Sequence, residues 1–350
     1  MGLGKKKILF QGASGISFNT VLYTGNASAR SITGVGFQPD LTWIKNRSSS
    51  SNYFHALIDS VRGVGKVLSS NTSSVDSTTY TDQVTSLEAN GFFVGNNASG
   101  GNYVNISGDD YVAWNWKAGG TAVNIGVNSI TGSTPSIAST VSANSAAGFS
   151  IVRNTGTSNY SDTIGHGLSQ APEIVIQKPA ASNVAWYVLF NLDGTGGWDY
   201  ASLNTYAPFA ADDPVRFATN STTINNWGWN NYDMINYCWH SVTGYSKIST
   251  YEGDGTNDYS KEITGLGFDP SFVMVKNADY NGSNWEIIDS RRGNEKNLYA
   301  NEAYAENANA PASYGSGKFI TDGFEVARGS VSASSHWNKS GDTYLYMAFK

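Results

Sequence analysis

The chain has little that ionises and almost nothing that cross-links. Of its 350 residues 14% are charged, one is cysteine and four are histidine. A lone Cys238 excludes an intramolecular disulfide and fits folding in a reducing cytosol. His55, His166, His240 and His336 are scattered with no His-x-x-x-His pair, so zinc chemistry is unsupported and no cofactor is expected. There is no run of eighteen apolar residues and no sustained 3.6-residue apolar period, which argues against membrane spans, helical bundles and coiled coils. The net charge is −6 and no basic face is visible, so nucleic acid is a poor partner, because binding it draws on Lys and Arg neutralising phosphates. The one basic run is Lys5, Lys6 and Lys7, followed by Ile8, Leu9 and Phe10. Three apolar residues are too short for a signal-peptide core.

What the chain does have is 38 Gly, 20 Tyr and 10 Trp, with Ser, Thr and Asn filling the spaces between apolar runs. Aromatic and β-branched residues suit a pleated surface, while Gly and Asn supply positive φ at turns. The expected class is all-β.

The chain also repeats itself. "TGVGFQPDLTWIKN" (33–46) recurs as "TGLGFDPSFVMVKN" (264–277), "LIDSVRG" (57–63) as "IIDSRRG" (287–293), "EANGFFVG" (88–95) as "ITDGFEVA" (320–327), and "SGDDYVAWNWK" (107–117) as "SGDTYLYMAFK" (340–350). Pro39 precedes Asp59 by 20 residues and Pro270 precedes Asp289 by 19, and the later intervals agree as closely. A degenerate third copy lies between them: "TIGHGLSQAPEIVIQKPA" (163–180) opens it and "MINYCWH" (234–240) closes it, without the Asp-Ser-x-Arg-Gly element. Turn signals near every ten residues with alternating apolar positions point to tandem antiparallel β-sandwich or jelly-roll repeats. The expected organisation is an arm at 1–19, repeat one at 20–120, a connector at 121–148, a divergent repeat two at 149–244 and repeat three at 245–350.

Several of these stretches, with "MGLGKKKILFQG", "FNTVLYTGN", "DSVRG", "STVSANSAAGFSIV" and "TIGHGLSQAPEIVIQK", resemble a family of tailed-bacteriophage virion proteins, common in phages of aquatic bacteria, across nearly the whole chain. That resemblance implies lectin-like, concanavalin-type jelly-roll repeats and a place on the virion, assembled in the bacterial host cytoplasm. Members are taken for tail fibres, adhesins or decoration proteins, and no catalytic motif carries over. It implies other virion proteins as partners and a homo-oligomer, a trimer by default since phage fibres are so often threefold. On either reading the arm Lys5 to Phe10 would anchor the protein on its neighbours.

Candidate sites follow from residue chemistry. Asp59/Arg62 and Asp289/Arg292 read either as an acid/base device or as a charge-assisted hydrogen bond fixing a turn. Asp254 and Asp258 in "YEGDGTNDY" are the best candidates for an ion, in competition with a plain hairpin loop. Trp43, Trp114, Trp116 and Trp239 fall on expected strands and suit a core or packing between copies. Trp198, Tyr200, Tyr206, Trp227 and Trp229 cluster in Gly- and Asn-rich stretches peculiar to copy two. Three readings stand for them: stacking on a sugar ring, filling a subunit interface, or simple core packing. No Gly-x-Ser-x-Gly elbow is present, and Asp193, Asp199 or Asp212 would need a groove to act as glycosidase carboxylates. A non-enzymatic protein that recognises host surface polysaccharide is expected, with a capsid or tail decoration protein as the alternative.

Overall fold

The computed structural model describes residues 15, 17–48, 53–78, 81–98, 104–129, 135–192, 197–211, 217–307, 311–330 and 336–350. The arm residues Lys5 to Phe10, with Asp193 and Asp212, lie outside them. Repeat one comprises β1 (Phe18–Thr24), β2 (Arg30–Thr33), β3 (Leu41–Asn46), β4 (Ala56–Asp59), β5 (Val84–Glu88), β6 (Gly91–Val94) and β7 (Asp110–Trp116). Repeat two comprises β8 (Val123–Ile125), β9 (Ser139–Asn144), β10 (Phe149–Thr155), β11 (Thr163–Gly165), β12 (Ile174–Pro179), β13 (Tyr187–Phe190), β14 (Asp199–Ser202), β15 (Ala210–Ala211), β16 (Thr223–Asn225) and β17 (Asp233–Trp239). Repeat three comprises β18 (Ser246–Glu252), β19 (Lys261–Thr264), β20 (Phe272–Asn277), β21 (Trp285–Asp289), β22 (Leu298–Tyr299), β23 (Ser316–Ile320), β24 (Gly323–Ala327) and β25 (Thr343–Phe349). Helix is confined, among the described residues, to the single turn Pro311–Tyr314. The protein is all-β, and each repeat is an antiparallel sandwich.

The main sheets share one order, β1-β7-β3-β4, β10-β17-β12-β13 and β18-β25-β20-β21, and one register. Trp116, Trp239 and Phe349 end the closing strands and sit opposite Leu41, Ile174 and Phe272. Smaller sheets, β2-β6-β5, β11-β16 and β19-β24-β23, cover the outer faces. Residues 121–148 are more than a connector: β8 and β9 add to β10 and widen that sheet to eight strands. Their alternation is carried by Ser, Thr, Val and Ala, side chains too small to stand out as a strand pattern in sequence.

Strand β3 is buried at all six positions because both faces are covered. Leu41 and Trp43 point to a core shared by the three repeats, and Ile44 points to a core private to repeat one. The shared core takes Trp114 and Trp116, Ile176 and Trp239, Phe272 and Phe349 from the three sheets in turn. At its end, Trp116 lies 6.1 Å from Trp239 and 5.7 Å from both Phe272 and Phe349, with Phe18 5.4 Å from Phe272. The strand tryptophans therefore do bind copy to copy.

Polar contacts run round this core in one cyclic sense. The indole N–H of Trp186 donates to the Ser69 carbonyl (2.9 Å), that of Trp285 to the Ser202 carbonyl (3.1 Å), and His55 Nε2 to the Tyr299 carbonyl (2.9 Å). His55 Nδ1 accepts from Trp43 Nε1 at 2.8 Å, which fixes the tautomer. Seven residues beyond each of those carbonyls, the amides of Asp76, Phe209 and Glu306 reach the carbonyls of Ala180, Ala278 and Arg47. Repeat one thus clasps two, two clasps three, and three clasps one: a heterologous contact that closes into a ring within a single chain.

One glycine position recurs for a steric reason. A Cβ on Gly25, Gly156 or Gly253 would overlap the carbonyl oxygen of Ile106, Trp229 or Lys339, where the turn before each closing strand crosses the end of the opening strand.

Candidate functional site

The doubled Asp-x-x-Arg element is built into the junctions between repeats. Asp59 Oδ1 accepts from the amides of Val61 (3.0 Å) and Arg62 (2.8 Å), and Oδ2 accepts from Arg62 Nε (2.6 Å). Arg62 also reaches Asp76 (3.1 Å) and the Leu57 carbonyl (2.9 Å). Repeat three copies the arrangement with Asp289, Arg292 (2.5 Å) and Glu306 (3.5 Å). Each buried carboxylate takes a further donor from another repeat: Tyr237 Oη to Asp59 (2.8 Å) and Trp114 Nε1 to Asp289 (2.9 Å). Burial and the Asp59 charge hold the Tyr237 phenol well above its ordinary range, so it remains the donor. Strand pairing puts Phe190 where Asp59 and Asp289 stand, and Met347 where Tyr237 and Trp114 stand. Phe209 replaces Asp76 and Glu306. At the third junction the acid, its second carboxylate partner and the ring donor are all apolar. With no solvent access, the element fixes a turn and a seam.

The lysines equivalent in the three copies are buried as well. Lys45 Nζ donates to the carbonyls of Asn46 (2.8 Å), Tyr53 (3.2 Å) and Ala303 (3.0 Å). Lys178 Nζ donates to Pro179 and Ser182 (both 2.7 Å), and Lys276 Nζ to Ser283 and Tyr206. Burial pushes Lys45 and Lys276 down to about 7 and Lys178 to about 8.

The aromatic cluster of repeat two is not an open stacking platform. Trp198 and Trp227 are 7% and 8% exposed and belong to that repeat's private core. Trp227 is 5.2 Å from Tyr187 and from Tyr200, Trp198 is 4.9 Å from Phe217, and Trp229 is 5.6 Å from Tyr187. The physical reason lies in the small sheet: among the described residues β11-β16 has two strands where its counterparts have three, and rings fill the outer core beside it. Tyr206 alone of the five is open, at 55% exposure, and lies apart where repeat two clasps repeat three; its carbonyl accepts from Gly282 N at 3.0 Å.

The loop carboxylates are likewise engaged. Asp254 accepts from Thr256 N (3.0 Å) and Asn338 Nδ2 (2.9 Å), and Asp258 from Ser260 N (3.2 Å). Among the described residues no three His, Cys, Asp or Glu side chains gather as metal ligands. In the doubled Gly-Asp turns, Asp109 and Asp342 each accept from Asn46 or Asn277 at 2.8 Å.

The open concavity lies where the three repeats meet at the end of the shared core. It encloses about 940 Å³, and all three repeats line it. Phe18 and Tyr245 supply apolar surface; Lys117 and Lys350, equivalent residues just past two closing strands, supply charge together with Arg291. No acidic side chain lines it, and none of the three cations forms an ion pair among the described residues. Asp40, close enough to feel the Lys117 charge, is buried; burial raises its carboxyl, and the Gly120 amide with the Lys117 charge draws it partly back. Thr20, 3% exposed, borders the pocket with its Oγ1 buried and without a partner. Sequence reading missed this pocket because its residues come from distant segments. The paired closing lysines were the only legible sign.

The chain belongs to the family described as a domain of unknown function, DUF7483, whose profile matches residues 13–350. No curated protein and no solved structure matches it.

Proposed function

We propose that the chain is a non-enzymatic structural protein of a tailed-phage particle, a tail-fibre or receptor-binding protein that recognises host surface glycans. The observation that carries this reading is the closed ring of three sandwiches. Its buried charges serve its seams, and an open concavity lined from all three repeats lies at the end of the shared core. That is the form expected of a binding scaffold, in which a fixed core positions variable loops. The resemblance of the repeats to virion proteins supplies the setting, with other virion proteins as partners. The ring already provides within one chain the threefold arrangement that three separate chains would build. Antibody-gold labelling of purified particles tests the proposal: a few copies at the tail support it, and absence from the particle refutes it.

One observation favours a decoration protein instead. Gly15 and Ser17, the described residues nearest the arm in sequence, line the pocket. An arm that pinned the protein closely by this end would turn the pocket toward the shell. Many copies coating the capsid would decide for that reading.

A further inference from the structure

We infer that the axial pocket formed by Lys117, Arg291, Lys350, Thr20, Tyr245 and Phe18 is a binding site for a carboxylated sugar, such as a uronic acid within an acidic polysaccharide. The inference rests on the glycan-recognition reading and names both the site and the ligand class.

Three features converge. The first is charge: a chain of net charge −6 gathers three cationic side chains, with no ion pairs of their own among the described residues, around one concavity that no described acidic side chain lines. Such groups attract an anion at range and grip it at contact. The second is shape and surface. A volume of about 940 Å³ is at the upper end of ligand pockets, which run from roughly 300 to 1,000 Å³. Its walls combine the half-buried Tyr245 ring with hydroxyl and amide groups, among them Ser290 and Asn144, and a charged sugar matches that mixture through its C–H face, hydroxyls and carboxylate. The third is the Thr20 hydroxyl, which among the buried side-chain polar atoms without a hydrogen-bond partner in the described residues is the one that borders the pocket. An acidic peptide would satisfy the charge. It is disfavoured because peptides dock along sheet edges or extended grooves, whereas this is a dish at the convergence of three repeats.

The test is calorimetric titration of the whole chain with trigalacturonate, with its fully methyl-esterified form, with a hexaglutamate peptide and with inorganic phosphate. The double variant Lys117→Ala/Arg291→Ala is titrated alongside. Both positions are exposed, so the variant should fold, and its thermal melt checks this. Trigalacturonate should bind, more weakly as salt rises toward about 0.15 M. The ester and the double variant should each lose about tenfold or more in affinity, and Thr20→Val a smaller part. Ester binding equal to the acid, or a double variant that binds normally, overturns the pocket assignment and leaves glycan recognition standing elsewhere. Hexaglutamate binding without any saccharide overturns the glycan reading itself. Phosphate binding alone reduces the pocket to an anion trap and overturns the sugar assignment.

Discussion

Replacing Asp59 by Leu should cost about 3–5 kcal/mol, the usual penalty for stranding the partner of a buried ion pair. Arg62 would keep Asp76 at 3.1 Å and the Leu57 carbonyl at 2.9 Å, but its Nε would lose the 2.6 Å carboxylate. Two amides and the Tyr237 hydroxyl would lose their acceptor together. The third junction shows what the compensated state looks like, with Phe190, Phe209 and Met347 at the corresponding places. The combination Asp59→Leu, Arg62→Met, Asp76→Leu and Tyr237→Phe should therefore recover most of the loss, since whole buried ion sets exchange for apolar residues at little or no cost. The Leu57 carbonyl survives the loss of Arg62 because Leu68 N also donates to it. Tyr237→Phe alone should cost about 1.5–3 kcal/mol, the range for a hydrogen bond to a charged group. The assay is guanidinium unfolding followed by tryptophan fluorescence, in which a changed midpoint at constant slope reports stability. A cost below about 1 kcal/mol for Asp59→Leu, or a combined variant no more stable than the single one, would refute the reasoning.

Three further outcomes follow from the same structure. Lys276 titrates at about 7 when folded, against about 10.4 in an unfolded chain, so between those values the unfolded state binds more protons and this group's contribution to stability rises with pH. Melting temperatures at pH 7 and pH 9.5 should diverge less for Lys276→Met than for the parent; an unchanged difference would contradict the assignment. Trp227→Ala should lower stability by about 3–5 kcal/mol, as for other large core truncations, while leaving binding to trigalacturonate intact. Loss of binding in a fully stable variant would return that ring to the site. Gly156→Ala should be strongly destabilising because its Cβ meets the Trp229 carbonyl, and soluble yield with circular dichroism reads this; parent-like stability would show that the crossing can open.

The repeat and the all-β class were legible because they are written in local signs: Gly-x-Gly turns, Pro before β3 and β20, and aromatic closing strands. The use of those strands was legible in part: sequence put Trp43, Trp114, Trp116 and Trp239 on strands as core or inter-copy packing, and the shared core joins both. Other features were not. Strands β8 and β9 are built from side chains as small as those of a loop, and only pairing to β10 reveals them. For the rings of repeat two, flanked by Gly and Asn, sequence left stacking, an interface and core packing all open, and only the folded packing puts Trp198 and Trp227 in that repeat's private core. Sequence gives the neighbours of a tryptophan along the chain and not the hole it fills. The axial pocket was the least accessible, since Lys117, Arg291 and Lys350 meet only after the ring closes.

Fusion of the three sandwiches explains why the junctions differ. Were the ring assembled from three identical chains, every seam would carry the same residues, and a change at Asp59 would strike all three at once. In one chain each seam varies alone, and the third has exchanged the carboxylates and the ring donor for Phe190, Phe209 and Met347 while the hydrogen-bonded clasp from Trp285 and Phe209 keeps its geometry. The pocket varies in the same way. Lys117 and Lys350 match one another, but Arg291 corresponds to Val61 in repeat one, and the repeat-two counterparts Glu173, Asn191 and Leu192 line a separate concavity. The three repeats thus contribute different residues, and a ligand meets one arrangement of charge there. A single bound orientation of trigalacturonate, with its carboxylates toward Arg291 and Lys350, is therefore expected in the structure of the complex, and three superposed orientations would contradict the asymmetry on which this reading depends.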